Sequence, residues 1–105
     1  MEAKAIETVF GKGRRPAVTA IKSMLGESYS AAGALQAAAA TLAIESRTIP
    51  PTIGYSEPDP ECCPSTIVIV TEREQRELSA VLINSFGCNG GNASLVLTGL
   101  TNSRR

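Results

Sequence analysis

The sequence predicts an α/β fold in which one helix forms the middle of several layers, and three stretches carry that prediction. The first is "KSMLGESYSAAGALQAAAATLAIES" (22–46), whose run from Ala31 to Ile44 is interrupted inside the helix only by Gln36 and Thr41. A surface helix needs one apolar stripe, whereas a helix that is apolar all round must be covered on every side. The second is "TIVIV" (66–70), a short β-branched strand. The third is the pair "AVLINSFG" and "ASLVLTG", joined by "CNGGN". Asn and Gly there supply the positive φ that a tight hairpin requires.

Taken in order, residues 2–10 read as a short helix, with Ala3, Ile6, Val9 and Phe10 near helical spacing and Gly11 closing it. "GKGRRP" is a loop whose Lys12, Arg14 and Arg15 read as a solvated cluster. "AVTAI" (17–21) reads as a strand running into Lys22, and Ser28 or Ser30 is placed to cap the helix that ends near Ser46. Residues 48–64 hold five of the six prolines and form a semi-rigid crossing loop. "TEREQRE" after the 66–70 strand is a charged surface turn.

The 105 residues amount to one domain, 1–105, burying about 65% of the unfolded surface. About four strands and a few helices cannot wrap the central helix completely, so the chain reads as a piece of a larger body. Ten basic and ten acidic residues cancel, and four aromatics without Trp offer little for bases to stack on; no nucleic-acid partner is expected. The absence of His removes the commonest general base and zinc ligand, and no CxxC spacing appears, so no metal is expected. Cys62, Cys63 and Cys88 read as reduced thiols of a cytoplasmic protein. The charged start "MEAKAIETVF" does not resemble a secretory signal. Ala31–Ile44 is short of the ~20 residues that span a bilayer, so no membrane is implied.

The segment "AVTAIKSMLGESYSAAGALQAAAATLAIESRTIPPTI", followed by "VLINSFGCNGGNASLVL", resembles the C-terminal end of the β-ketoacyl-acyl carrier protein synthases, the ketosynthases of fatty acid and polyketide assembly. The likeness covers roughly residues 2–99. It implies a partial thiolase-like fold: a short N-terminal helix, a strand, the alanine-rich helix buried between sheets, then the hairpin in a mixed sheet. It also implies decarboxylative condensation of an acyl thioester with a malonyl unit on acyl carrier protein, without a cofactor.

Residue by residue, the family's K-S-x-x-G-H pattern corresponds to "KSMLGE". Lys22 matches the lysine that supports a catalytic histidine, while Glu27 stands where a histidine is expected. Gln36 falls where the family often places a glutamate that pairs with the lysine. The N-S-F-G-F-G-G-T-N pattern corresponds to "NSFGCNGGN", so Phe86, Gly87 and Cys88 occupy the substrate-binding position. Cys88 replaces the aromatic gate of the acyl pocket and is not the nucleophile, which belongs to an upstream part along with the first histidine. The lone residues have plainer readings too: Lys22 as a strand-end lysine with a partner, Glu27 as a loop acid, the glycine turn as a hairpin only.

An ionised glutamate only accepts hydrogen bonds and would repel the oxyanion that the histidine stabilises. Lys22 and Glu27 are therefore expected to form a partly buried ion pair. The chain by itself, lacking the nucleophile and both histidines, is expected not to condense substrates. A homo-oligomer or a missing N-terminal half would complete the fold, and a truncated gene or an internal start would explain Met1. The alternative is a non-catalytic binding or interaction module that kept the scaffold.

Overall fold

The structure is a computed structural model that describes residues 1–11, 13–62 and 66–100. Lys12 of the basic loop and Cys63 lie outside the described residues.

Helix α1 spans Glu2–Phe10, and the Gly11 N–H closes it by donating to Glu7 O at 2.9 Å. Strand β1 is only Ala17–Val18. The expected strand to residue 21 is thus too long: at Ile21 the backbone is already α-helical, and Lys22–Leu25 form a one-turn helix, α2. Lys22 therefore opens a helix and does not end a strand. Gly26, at φ 77°, stops α2 by donating its N–H to Lys22 O at 2.9 Å. A side chain is strained at that φ, so the glycine lets the chain reverse within one residue.

A 3-10 turn, Tyr29–Ala31, leads into α3, Ala32–Ser46. Neither Ser28 nor Ser30 makes the expected side-chain cap. The polar group at this entry is instead the carboxylate of Glu27, which accepts from Tyr29 N–H. At its other end α3 closes at Arg47, whose φ of 53° is left-handed.

The described residues form three two-stranded sheets. β1 pairs in parallel with β3 (Val68–Ile69). β2 (Thr48–Ile49) pairs antiparallel with β4 (Glu74–Gln75), so the proline-rich segment begins with a strand and the charged "TEREQRE" contains another. β5 (Ala80–Phe86) and β6 (Asn92–Thr98) form the hairpin, in register from Ala80 opposite Thr98 to Phe86 opposite Asn92. The α/β class holds, but the hairpin pairs only with itself among the described residues and joins no mixed sheet.

The core is thin. Ala32, Ala40 and Ala43 of α3 are buried together with Ile49, Ile67, Val70 and Ile83. α3 packs on β5, β2 and β6, and Gly99 admits Ile44 so closely that a Cβ there would lie 3.2 Å from its methyl carbon. Leu42 and Leu35 on the far side of α3 are 63% and 40% exposed. The helix is apolar on every side, as its sequence dictates, yet covered along one stripe only. The radius of gyration, 14.3 Å, exceeds the ~13 Å of a well-packed chain this size.

Candidate functional site

The turn between α2 and α3 gathers the first group of candidate residues. Lys22 Nζ donates to Glu27 Oε2 at 2.7 Å, and the other carboxylate oxygen, Oε1, accepts from Tyr29 N–H at 2.9 Å. Tyr29 itself sits at φ 48°, a left-handed conformation uncommon outside glycine and asparagine. Both carboxylate oxygens are thus engaged with donors. The Lys22 ammonium, followed by the Tyr29 N–H, lowers the Glu27 pKa below its ordinary value of 4.5. Glu27 is consequently an ionised acceptor near neutral pH and holds no proton to give.

The ion pair expected from the sequence is present, but not its burial. The Lys22 and Glu27 side chains are 46% and 50% exposed. The reason lies in α2: starting a helix at Lys22 swings the lysine out over the turn, where a continued strand would point it into a buried layer. Water therefore screens this pair.

Gln36 lies one turn into α3, on the stripe that runs from Ala32 to Ala40. Its Oε1 is buried and meets no donor among the described residues. It borders a cavity of about 10 Å³ between α2 and α3, whose wall Lys22 and Ser28 share. That volume is at the threshold for a single water and admits no substrate.

The second group is the hairpin end. Phe86 closes β5 and is 58% exposed. The Gly87 N–H donates to Gly91 O at 2.7 Å, and the Gly90 N–H to Gly87 O at 3.0 Å. Gly90 takes φ 79°, whereas Gly91 is not among the positive-φ glycines. A Cβ on Gly87 would approach Gly91 O to 3.1 Å, so this loop is drawn tight on backbone alone. Cys88 is a free, exposed thiol at its tip, as is Cys62 elsewhere.

Among the described residues no hydrogen bond or ion pair joins Lys22 or Glu27 to Phe86, Gly87 or Cys88. Lys22 pairs with Glu27 and lines one small cavity together with Gln36, a cavity whose walls include none of Phe86, Gly87 and Cys88. The Tyr29 N–H is the group that the sequence reading missed. An acidic residue two positions ahead of a helical turn was its available signal, since a short-range carboxylate commonly takes such an N–H.

Residues 1–56 match the family model described as β-ketoacyl synthase, C-terminal domain. The chain belongs to this family. A 3-oxoacyl-[acyl-carrier-protein] synthase 2 of Coxiella burnetii is 39% identical over 99 residues, and a synthase 1 of Escherichia coli is 43% identical over 96. These alignments take in 93% and 91% of this chain and 23% of each relative. A tetracenomycin polyketide synthase ketoacyl synthase alpha subunit of Streptomyces glaucescens is 48% identical over 80 residues, 76% of this chain and 18% of that protein. The chain thus spans about a quarter of the length of the two 3-oxoacyl-[acyl-carrier-protein] synthases it matches. Within it, no described helix is long and apolar enough to cross a membrane.

Proposed function

We propose that this chain is the C-terminal portion of a cytoplasmic β-ketoacyl-acyl carrier protein synthase-type acyltransferase. In that reaction a malonyl unit on the carrier protein loses carbon dioxide, and the resulting carbanion attacks an acyl thioester held on a cysteine. A carbon–carbon bond forms and the cysteine thiolate leaves. The observation that supports this reading is the similarity to 3-oxoacyl-[acyl-carrier-protein] synthases over more than nine-tenths of the chain. The portion contributes Lys22 with Glu27 from the α2–α3 turn, and Phe86, Gly87 and Cys88 from the hairpin end. Acyl carrier protein is its partner, and further subunits or chain segments complete the body around α3.

By itself the chain forms no condensation product. It has no histidine, and Cys88 lies in the hairpin motif, not in a nucleophile motif. Incubation with acyl- and malonyl-carrier protein, followed by intact-mass measurement, is expected to show the unmodified chain. A thioester adduct on Cys88 would overturn this assignment.

A second reading, a binding module without chemistry, is favoured by one feature: Glu27 engages both oxygens as an acceptor. Such a carboxylate repels an oxyanion where a donor is needed. Fluorescence anisotropy with labelled acyl carrier protein tests this reading on the same sample. Binding without acylation is expected of both readings, and no binding at all removes the module.

A further inference from the structure

Helix α2 is a single turn, Lys22–Leu25, and a helical turn that short does not sustain itself in water. Its start is fixed from outside, by three side-chain hydrogen bonds that cross from residues 19–23 to residues 50–53. Thr19 Oγ1 donates to Pro50 O at 2.7 Å, and the Ala20 N–H donates to Thr52 Oγ1 at 2.9 Å. The Ile53 N–H donates to Ser23 Oγ at 2.9 Å. The loop that supplies these partners is itself anchored, since the Thr52 N–H donates to Val70 O at 2.7 Å, one residue past β3. Pro50 and Pro51 have fixed φ angles, which stiffens the loop between its anchors. Lys22 lies in the short span between Ala20 and Ser23, so both flanks of the lysine are tied to this one loop.

We infer that Thr52 and Ser23 are positioning residues for Lys22: the 50–53 loop is the template on which the chain turns from β1 into α2, and these two hydroxyl acceptors set where the ammonium stands. This rests on the assignment of Lys22 to the functional portion proposed above. The lysine reaches Glu27 Oε2, at 2.7 Å, on a flexible four-carbon stem. A stem of that kind aims a charge only as well as its root is held. With the root freed, the ammonium disperses into solvent and Glu27 keeps only the Tyr29 N–H. The two acceptors come from opposite partners, Thr52 from the loop and Ser23 from α2, so each can be removed without touching the other.

Acetylation of the 105-residue chain with limiting N-hydroxysuccinimidyl acetate, read lysine by lysine in peptide mass spectra, tests this with exposed Lys4 as the internal reference. Only the free base reacts, so a carboxylate partner slows labelling by stabilising the ammonium. T52V keeps the branched shape and removes the acceptor. It is expected to speed Lys22 relative to Lys4 by about two- to fivefold, the range a solvent-screened pair supports. T52S, which keeps the hydroxyl, should stay with the parent. S23A and S23T repeat the comparison at the other bond. In an E27A background the pair is gone, and neither T52V nor S23A should speed Lys22 further. A parent-like Lys22 in T52V and S23A overturns the proposal. So does equal acceleration with and without Glu27, which would make the hydroxyls general braces of the turn, and so does a T52S as fast as T52V. Far-UV circular dichroism checks that α3 persists; if T52V loses that signal, S23A, whose bond lies at the surface, decides alone. None of these readouts depends on condensation, so failure of the proposed function and failure of the positioning role are separable.

Discussion

At Glu27 a single side chain ties two pieces of backbone, holding Lys22 on α2 with one oxygen and the Tyr29 N–H with the other. Its folded pKa is lowered, so its contribution to stability is present above the unfolded pKa and is lost as pH falls through the folded value. Glu27→Gln should therefore lower the urea midpoint of the chain slightly near neutral pH. The difference from the parent should vanish as the pH falls below 4.5 and through the lowered folded value. A midpoint difference that grows with acidity would show that another group dominates. Half-exposure of both partners makes the neutral-pH effect small, where a buried pair would have made it severe. A residue-scale prediction of opposite weight belongs to the hairpin. Gly90 at φ 79° cannot be replaced by a β-branched residue without strain, so Gly90→Val should cost more than about 1 kcal/mol. Gly91→Val should cost less, because no atom lies within 4 Å of its added Cβ and its φ is not positive. Thermal melts of the two variants check the order, and equal costs would contradict the turn geometry.

At the scale of elements, α3 determines behaviour. Its buried stripe of Ala32, Ala40 and Ala43 lets the hairpin approach closely, and small residues are what make that approach possible. The opposite side leaves Leu42 mostly in solvent, with Leu95 and Val96 of β6 also at least half exposed. Exposed apolar surface of this kind drives association. Leu42→Lys is therefore expected to reduce light scattering of the chain while leaving its far-UV helical signal unchanged. Unaltered scattering would place the sticky surface on the hairpin instead. The elements themselves were legible to different degrees. α1 and the hairpin follow from local pattern, since spacing and glycine placement need no distant partner. α2, β2 and β4 were not legible: each is two to four residues long and exists because of what it meets, as Arg76 N–H meets Arg47 O beside the β2–β4 pair.

At the scale of the whole molecule, the described residues hold three separate two-stranded sheets on one thin core, and isolated two-stranded units are marginal in water. Among the described residues no strand pairs with the outer edges of β5 and β6, which offer their backbone groups to a neighbouring strand. The 105-residue chain alone should self-associate or bind a hydrophobic dye such as ANS, with weak near-UV dichroism. A sharply folded monomer that survives dilution would contradict this picture. Association by itself accords with a chain that spans 23% of its relatives.

The amino-acid sequence alone determined the α/β class, the family and an apolar helix in need of cover. It also determined the hairpin and the meeting of Lys22 with Glu27. The class, the helix and the hairpin depend on residue type and short spacing, whereas the family and the meeting of Lys22 with Glu27 came through the resemblance of the quoted motifs. The tertiary structure alone decided that Lys22 opens a helix, that its pair with Glu27 stands in solvent, and that Gln36 Oε1 is buried with no donor among the described residues. Four residues separate Lys22 from Glu27, and no pattern within them states where the chain reverses. That is decided by Gly26 and Tyr29 both taking positive φ, and by how far α2 then stands from α3. Burial is a property of what packs against a residue, and the covering atoms come from distant parts of the chain.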